Sequence, residues 1–176
     1  MLTFALAGAT ASAADRKIRI SSTKAITSVG GFHPESDPSV GGALAVFGAP
    51  TSVKSTSING TSCDYKWSAQ GLKIILVSFG EPGRSACELD VGKSQIIRVG
   101  GENGRGWHTN CGLFIHSKRS TMRKKYNARR TGKGRYSLLR KRSIYGPPGT
   151  TMEVLGARIS NGRVSSFVLT PLAAGD

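Results

Sequence analysis

His108, Cys111 and His116 lie close enough in the chain to be read first as metal ligands. Imidazole nitrogen and thiolate sulfur are donors that zinc prefers, and a structural zinc site is closed by four of them. A fourth ligand is not evident nearby, and His33 is the only other histidine. In strand geometry positions 108 and 116 share a face and 111 points the other way. The same residues could form a Cys–His nucleophile pair, but no activating third group is marked. The reading is surface histidines around a free or buried cysteine, with no metal and no cofactor.

Gly92-Lys93-Ser94 resembles the end of a phosphate-binding P-loop. That loop needs a glycine five residues before Gly92, and the chain has Cys87 there. The glycines between Gly100 and Gly106 do not follow dinucleotide spacing either. Asp64, Glu81, Glu88, Asp90 and Glu102, among the ten Asp or Glu of the chain, all precede the basic block. None is flanked by features that would raise its pKa, so they read as solvated loop carboxylates. No nucleophile-elbow sequence is present. No catalytic residue is assigned, and a hydrolase is the third choice of function.

The strongest signal is electrostatic. Arg105 to Thr151 contains thirteen Lys or Arg residues and no Asp or Glu, which is +13 of a formal net charge of +15. Such a field attracts polyanions without naming one. Lys118, Arg119, Arg123, Lys124 and Lys125 fall on or beside an expected helix. Arg129, Arg130, Lys133 and Arg135 follow in an expected loop, then Arg140, Lys141 and Arg142. Tyr126 and Tyr136 are interleaved, as expected where bases or sugars stack on aromatics. Tyr126 is also the natural core residue of its helix. The candidate binding residues are therefore Lys118, Arg119, Arg123, Lys124, Lys125, Tyr126, Arg129, Arg130 and Tyr136. A solvated basic face without a dedicated partner is the plainer alternative.

Residues 1–13 read as a signal peptide. Leu2 to Ala7 is a short apolar run, and Ala11-Ser12-Ala13 supplies small residues for cleavage before Ala14. The Lys or Arg expected before the apolar run is missing, and a weakly apolar tail is the alternative. No run approaches the ~20 apolar residues of a transmembrane helix. In an exported chain Cys63 and Cys87 are expected to pair and Cys111 to be left over. The alternative is three small buried hydrophobes in a reduced protein.

These residues must be positioned by short elements. Lys17 to Ile26 reads as a first strand. Ser36 or Asp37 can cap a short helix with Pro38 in its first turn, Gly48 and Pro50 at its end, and Val40, Leu44 and Phe47 on its buried face. Thr51 to Thr61 is polar, with an Asn59-Gly60 turn. Cys63, Tyr65 and Trp67 alternate, Leu72 to Phe79 is a strong strand, and Ser94 to Val99 is another. Ser117 or Ser120 can cap a second helix with Met122 and Tyr126 inward and Asn127 at its left-handed stop. Tyr136 to Leu139 begins a strand. Asn161-Gly162 between Met152–Ser160 and Arg163–Leu169 is the clearest hairpin signal.

The two halves share an order of lead-in, short helix and strands. The expected fold class is α+β, with two similar units, each a short helical segment packed on an antiparallel sheet. The expected organisation is residues 14–99 as the first unit, 100–106 as a glycine-rich linker, and 107–176 as the second unit with the basic face. Pro38 to Pro50 with Cys63 to Phe79, and Gly112 to Ala128 with Met152 to Leu169, carry a resemblance of pattern. The chain resembles the tandem fold of the secreted beta-lactamase inhibitory proteins and the related barrel-assembly lipoproteins. That resemblance implies an exposed concave sheet face that binds proteins, and no catalytic residues. The second half lacks a cysteine pair and the basic block is denser than that pattern, so lactamase inhibition is not carried over. The expected function is an exported, non-enzymatic binding module in the secreted or cell-envelope space. Its partner would be an acidic protein or anionic polymer, with nucleic acid as the alternative.

Overall fold

The computed structural model describes residues 15–56, 62–77, 87, 94–142 and 147–171. The expected signal peptide, the Asn59-Gly60 turn, Gly92-Lys93, Glu81, Glu88 and Asp90 lie outside them. The chain runs β1 (Lys17–Ile20), β2 (Ile26–Val29), α1 (Val40–Phe47), β3 (Ser52–Thr56), β4 (Ser62–Trp67), β5 (Leu72–Val77) and β6 (Ser94–Gly100). A 3-10 turn at Glu102–Gly104 follows, then β7 (His108–Thr109), α2 (Arg119–Lys125), β8 (Arg129–Gly132), β9 (Arg135–Arg142), β10 (Thr151–Ser160) and β11 (Arg163–Leu169).

Local chemistry accounts for the best-marked elements. Asn161 and Gly162 both take positive φ, 49° and 71°, the pair a type I′ turn requires, and β10 and β11 zip up antiparallel from them. Ser39 caps α1 by accepting from the Gly42 amide, and Asp37 in turn accepts from the Ser39 amide and hydroxyl. The cap is thus two residues beyond the expected Asp37, and Pro38 precedes the helix. Gly48, at φ 71°, ends it. The buried stripe is Val40, Ala43 and Phe47, while Leu44 is 39% exposed. The i, i+3, i+7 set satisfies the helical period as well as the expected set. The polar segment after Pro50 forms strand β3, because β4 supplies its hydrogen bonds along the whole length.

The second helix differs more. Its N-cap is Lys118 without a side-chain bond, and Ser117 Oγ instead accepts from the Phe114 amide. Asn127 is not left-handed; Tyr126 at the C-cap is extended, at φ −125°. Arg123, Lys124 and Lys125 sit in the last turn, where cations complement the helix dipole.

The strands pair as one eight-stranded antiparallel sheet in the order β3-β4-β5-β6-β11-β10-β9-β8. A small sheet, β2-β1-β7, stands apart, with β1 and β7 parallel. The expected α+β class of two similar units is therefore corrected: 48% of the structure is strand and 14% helix. The decisive contact is β6 against β11, from Ile97↔Leu169 to Gly100↔Ser166, which fuses the four-strand meander before Gly100 to the one after it. Gly100 is required there. Its φ is 149°, and a Cβ would come within 2.5 Å of Ser165 O and Ser166 Cβ.

One face of the large sheet builds the core. Cys63, Tyr65 and Trp67 of β4 alternate inward as expected, next to Leu72, Ile74 and Leu76, Ile97 and Val99, and Phe167 and Leu169. Val40 and Phe47 of α1, Met122 of α2, and Ile18, Ile26 and Trp107 join the same buried cluster. The indole N–H groups of the buried tryptophans find carbonyls, Trp67 at Gly48 (2.9 Å) and Trp107 at Gln70 (2.7 Å). The segment Gly100 to Gly106 is an ordered turn on this scaffold. The Arg16 guanidinium donates to the Asn103 and Arg105 carbonyls, and Asn103 Nδ2 donates to Ser68 O.

Candidate functional site

The basic block begins from a helix whose inner side is committed to the core. Met122 is fully buried, and Tyr126 is 5% exposed with its hydroxyl 2.8 Å from Thr109 Oγ1. Burial pushes the Tyr126 phenol well above its usual pKa, and the nearby Cys111 adds to that. Tyr136 is 8% exposed and packs in the same core. Neither ring presents a face to solvent, so the expectation that these tyrosines stack on bases or sugars is corrected. Period-two and i, i+4 placement put them inward, where burial of an aromatic contributes most.

The cations divide between two surfaces. Arg119, Arg123, Lys124 and Lys125 lie exposed on α2 and Lys118 at its N-cap, within the layer that covers the sheet. Lys125 Nζ donates to the Cys111 carbonyl at 2.9 Å. Arg129 and Arg130 lie on β8, the edge strand, and Arg135 and Arg140 lie exposed on β9 beside it. What sequence reading took as a loop is thus a strand and a tight turn at Lys133-Gly134. Arg129 stands opposite Ser137, and Arg140 opposite Glu153. Arg129, Arg130, Thr131, Ser137, Arg140 and Glu153 line a cavity of about 420 Å³. Ser137 is 3% exposed and its hydroxyl has no hydrogen-bond partner. Charges on an edge strand also deter pairing with another chain, so part of this pattern is structural.

The ion pairs of the described residues are Arg19–Asp15 and Lys73–Asp64. Neither involves a cation of the basic block. Glu153 faces Arg140 and the Lys141 charge acts on Glu35, and most of the remaining field is left for solvent or a partner to neutralise.

The remaining candidates are not assembled into a site. His108 stacks on Phe114 at 4.7 Å, with Nδ1 3.0 Å from Gly106 O. β7 is only two residues long and the chain turns after it, so 108 and 116 do not share one strand face. His116 is left-handed at φ 70°, and Cys111 is exposed and free. Among the described residues no group of three His, Cys, Asp or Glu could hold a metal ion. Asp64 is ion-paired to Lys73, and Glu102 is exposed on the 3-10 turn. Cys63 and Cys87 are bonded as expected. No helix of the described residues is long and apolar enough to cross a membrane.

A second group of cations was not singled out from the sequence. The face of the sheet turned away from the core carries Lys66 opposite Lys73, and Lys73 opposite Arg98. Arg158 of β10 stands opposite both Ser166 and Arg135 on the same face. In sequence each is one polar position of an alternating strand, and the pairing that gathers them is non-local. No family model, curated protein or solved structure matches this chain.

Proposed function

We propose that this chain is an exported, non-enzymatic binding module for an acidic protein or an anionic component of the cell envelope. The observation that carries the reading is the weakly compensated charge of Arg105–Thr151: thirteen cations, no carboxylate in the segment, and no ion pair to another described residue, with only Glu153 opposite Arg140 and Glu35 within reach of the Lys141 charge. A structural face normally interleaves both signs, whereas a single-sign field steers a partner of opposite charge. The Cys63–Cys87 bond supports an oxidising compartment. Nucleic acid is the weaker partner, because the interleaved tyrosines that would stack on bases are in the core. The likeness to secreted inhibitory proteins enters through the sheet alone, since a broad sheet with one face outside the core is the surface it implies.

The test is retention on immobilised heparin. We expect binding at ~10 mM salt and release as salt rises toward ~1 M, where the Debye length shrinks from about 30 Å to about 3 Å. Arg129→Gln/Arg130→Gln/Arg140→Gln and Lys124→Gln/Lys125→Gln separate the sheet edge from the helix. Soluble poly-glutamate and single-stranded DNA compete in separate arms. Displacement by poly-glutamate at lower charge concentration supports an acidic protein partner. No retention at low salt, or retention unchanged in both variants, refutes the reading.

A further inference from the structure

We infer that the sheet face turned away from the core holds an oxyanion site, built from Lys66, Lys73, Arg98 and Arg158, for a phosphate or sulfate group. None of these residues belongs to the basic block, so the site stands apart from the partner reading above. They line a cavity of about 370 Å³ at the end of the sheet where the 3-10 turn forms a wall. Ser166 lines it too, and Glu102 is its one carboxylate.

Two features point to an anionic occupant. Lys66, Lys73 and Arg98 are direct cross-strand neighbours, on strands about 4.8 Å apart, and like charges placed so repel. Asp64 relieves Lys73, but Lys66, Arg98 and Arg158 have no carboxylate partner among the described residues. Arg98 Nε is shielded from solvent and has no hydrogen-bond acceptor. A buried cationic donor left unmet is a cost that sequences avoid unless something else meets it. An oxyanion in the cavity supplies acceptors to the guanidinium and offsets the crowded positive charge together. Arginine's planar fork matches phosphate or sulfate oxygens, with the lysines acting as point charges. The volume exceeds that of the bare ion and lies in the range of small-ligand pockets, roughly 300–1,000 Å³, so an ester of the ion fits as well.

The experiment is thermal unfolding of the full chain with inorganic phosphate, inorganic sulfate or glycerol phosphate, against sodium chloride at equal ionic strength. We expect a saturable rise in Tm with the oxyanions and not with chloride. Arg98→Gln should weaken apparent affinity about tenfold or more, the scale of one charge-assisted contact. Lys66→Gln and Arg158→Gln alter exposed side chains and report the same loss should Arg98→Gln fail to fold. Lys24→Gln, which removes an exposed charge of the same sign outside both the cavity and the basic block, should leave the affinity unchanged. Tighter binding of glycerol phosphate than of phosphate assigns the cavity to an ester, and equal binding to the free ion; either outcome supports the site. An equal rise with chloride, or an affinity untouched by Lys66→Gln and Arg158→Gln, overturns it. Heparin retention would be unaffected by that failure, so the two readings fall separately.

Discussion

Removing the Cys63–Cys87 bond should cost this fold a calculable amount. The two residues are 24 apart in sequence, and one anchors β4 in the core while the other lies beyond β5. In the chain-entropy treatment a loop of that length stabilises the folded state by about 3.4 kcal/mol, through the unfolded ensemble. With a urea slope of about 2 kcal/mol/M, the midpoint should fall by roughly 1.7 M. The variant to use is Cys63→Ala/Cys87→Ala, because serine would bury a hydroxyl at a position with no solvent exposure. The slope itself should rise, since the uncrosslinked chain exposes more surface on unfolding. Thiol titration of the native oxidised protein should find the exposed Cys111 alone, and unreduced peptide maps should contain Cys63 joined to Cys87. A midpoint shift under ~0.5 M, or alkylated Cys63 in the unreduced map, would refute the reasoning.

Gly100→Ala should destabilise by about 1–3 kcal/mol, because the added Cβ meets β11 backbone that cannot withdraw without opening the β6–β11 seam. Gly104→Ala is the control, since its φ is not positive and nothing lies within 4 Å of an added Cβ; equal urea midpoints for the two would sink the seam argument. Glu35 has a carboxyl held above its usual pKa by burial, so its folded state favours the protonated form. The stability it contributes is present below the unfolded pKa and lost as pH rises through the folded one. Glu35→Gln should therefore gain stability relative to the parent above that window and little below it, as read from thermal unfolding at several pH values. A gain independent of pH would contradict this.

How much of the site could be read from the chain depends on the range of the interaction. The basic block was visible because charge counts locally, and its +13 needs no fold. Its division was not visible: α2 carries one part over the core face and the β8–β9 edge carries the other. The tyrosines looked available in sequence because a polar tip and an aromatic ring serve a surface and a core equally well. Ser137 looked unremarkable until the pairing of β8 and β10 on either side of β9 enclosed it.

The sequence by itself determined the features set within a few residues. These are the β10–β11 hairpin, forced by Asn161-Gly162; the alternation of Cys63, Tyr65 and Trp67; a short helix ending at Gly48; and the sign of the field. The joining of β6 to β11, the fused sheet that replaced two separate units, and the gathering of Lys66, Lys73, Arg98 and Arg158 were decided only by tertiary structure. Backbone hydrogen bonds between distant strands set those neighbours. Every strand offers the same donors and acceptors, so the choice among partners rests on how whole faces pack rather than on any local run of residues.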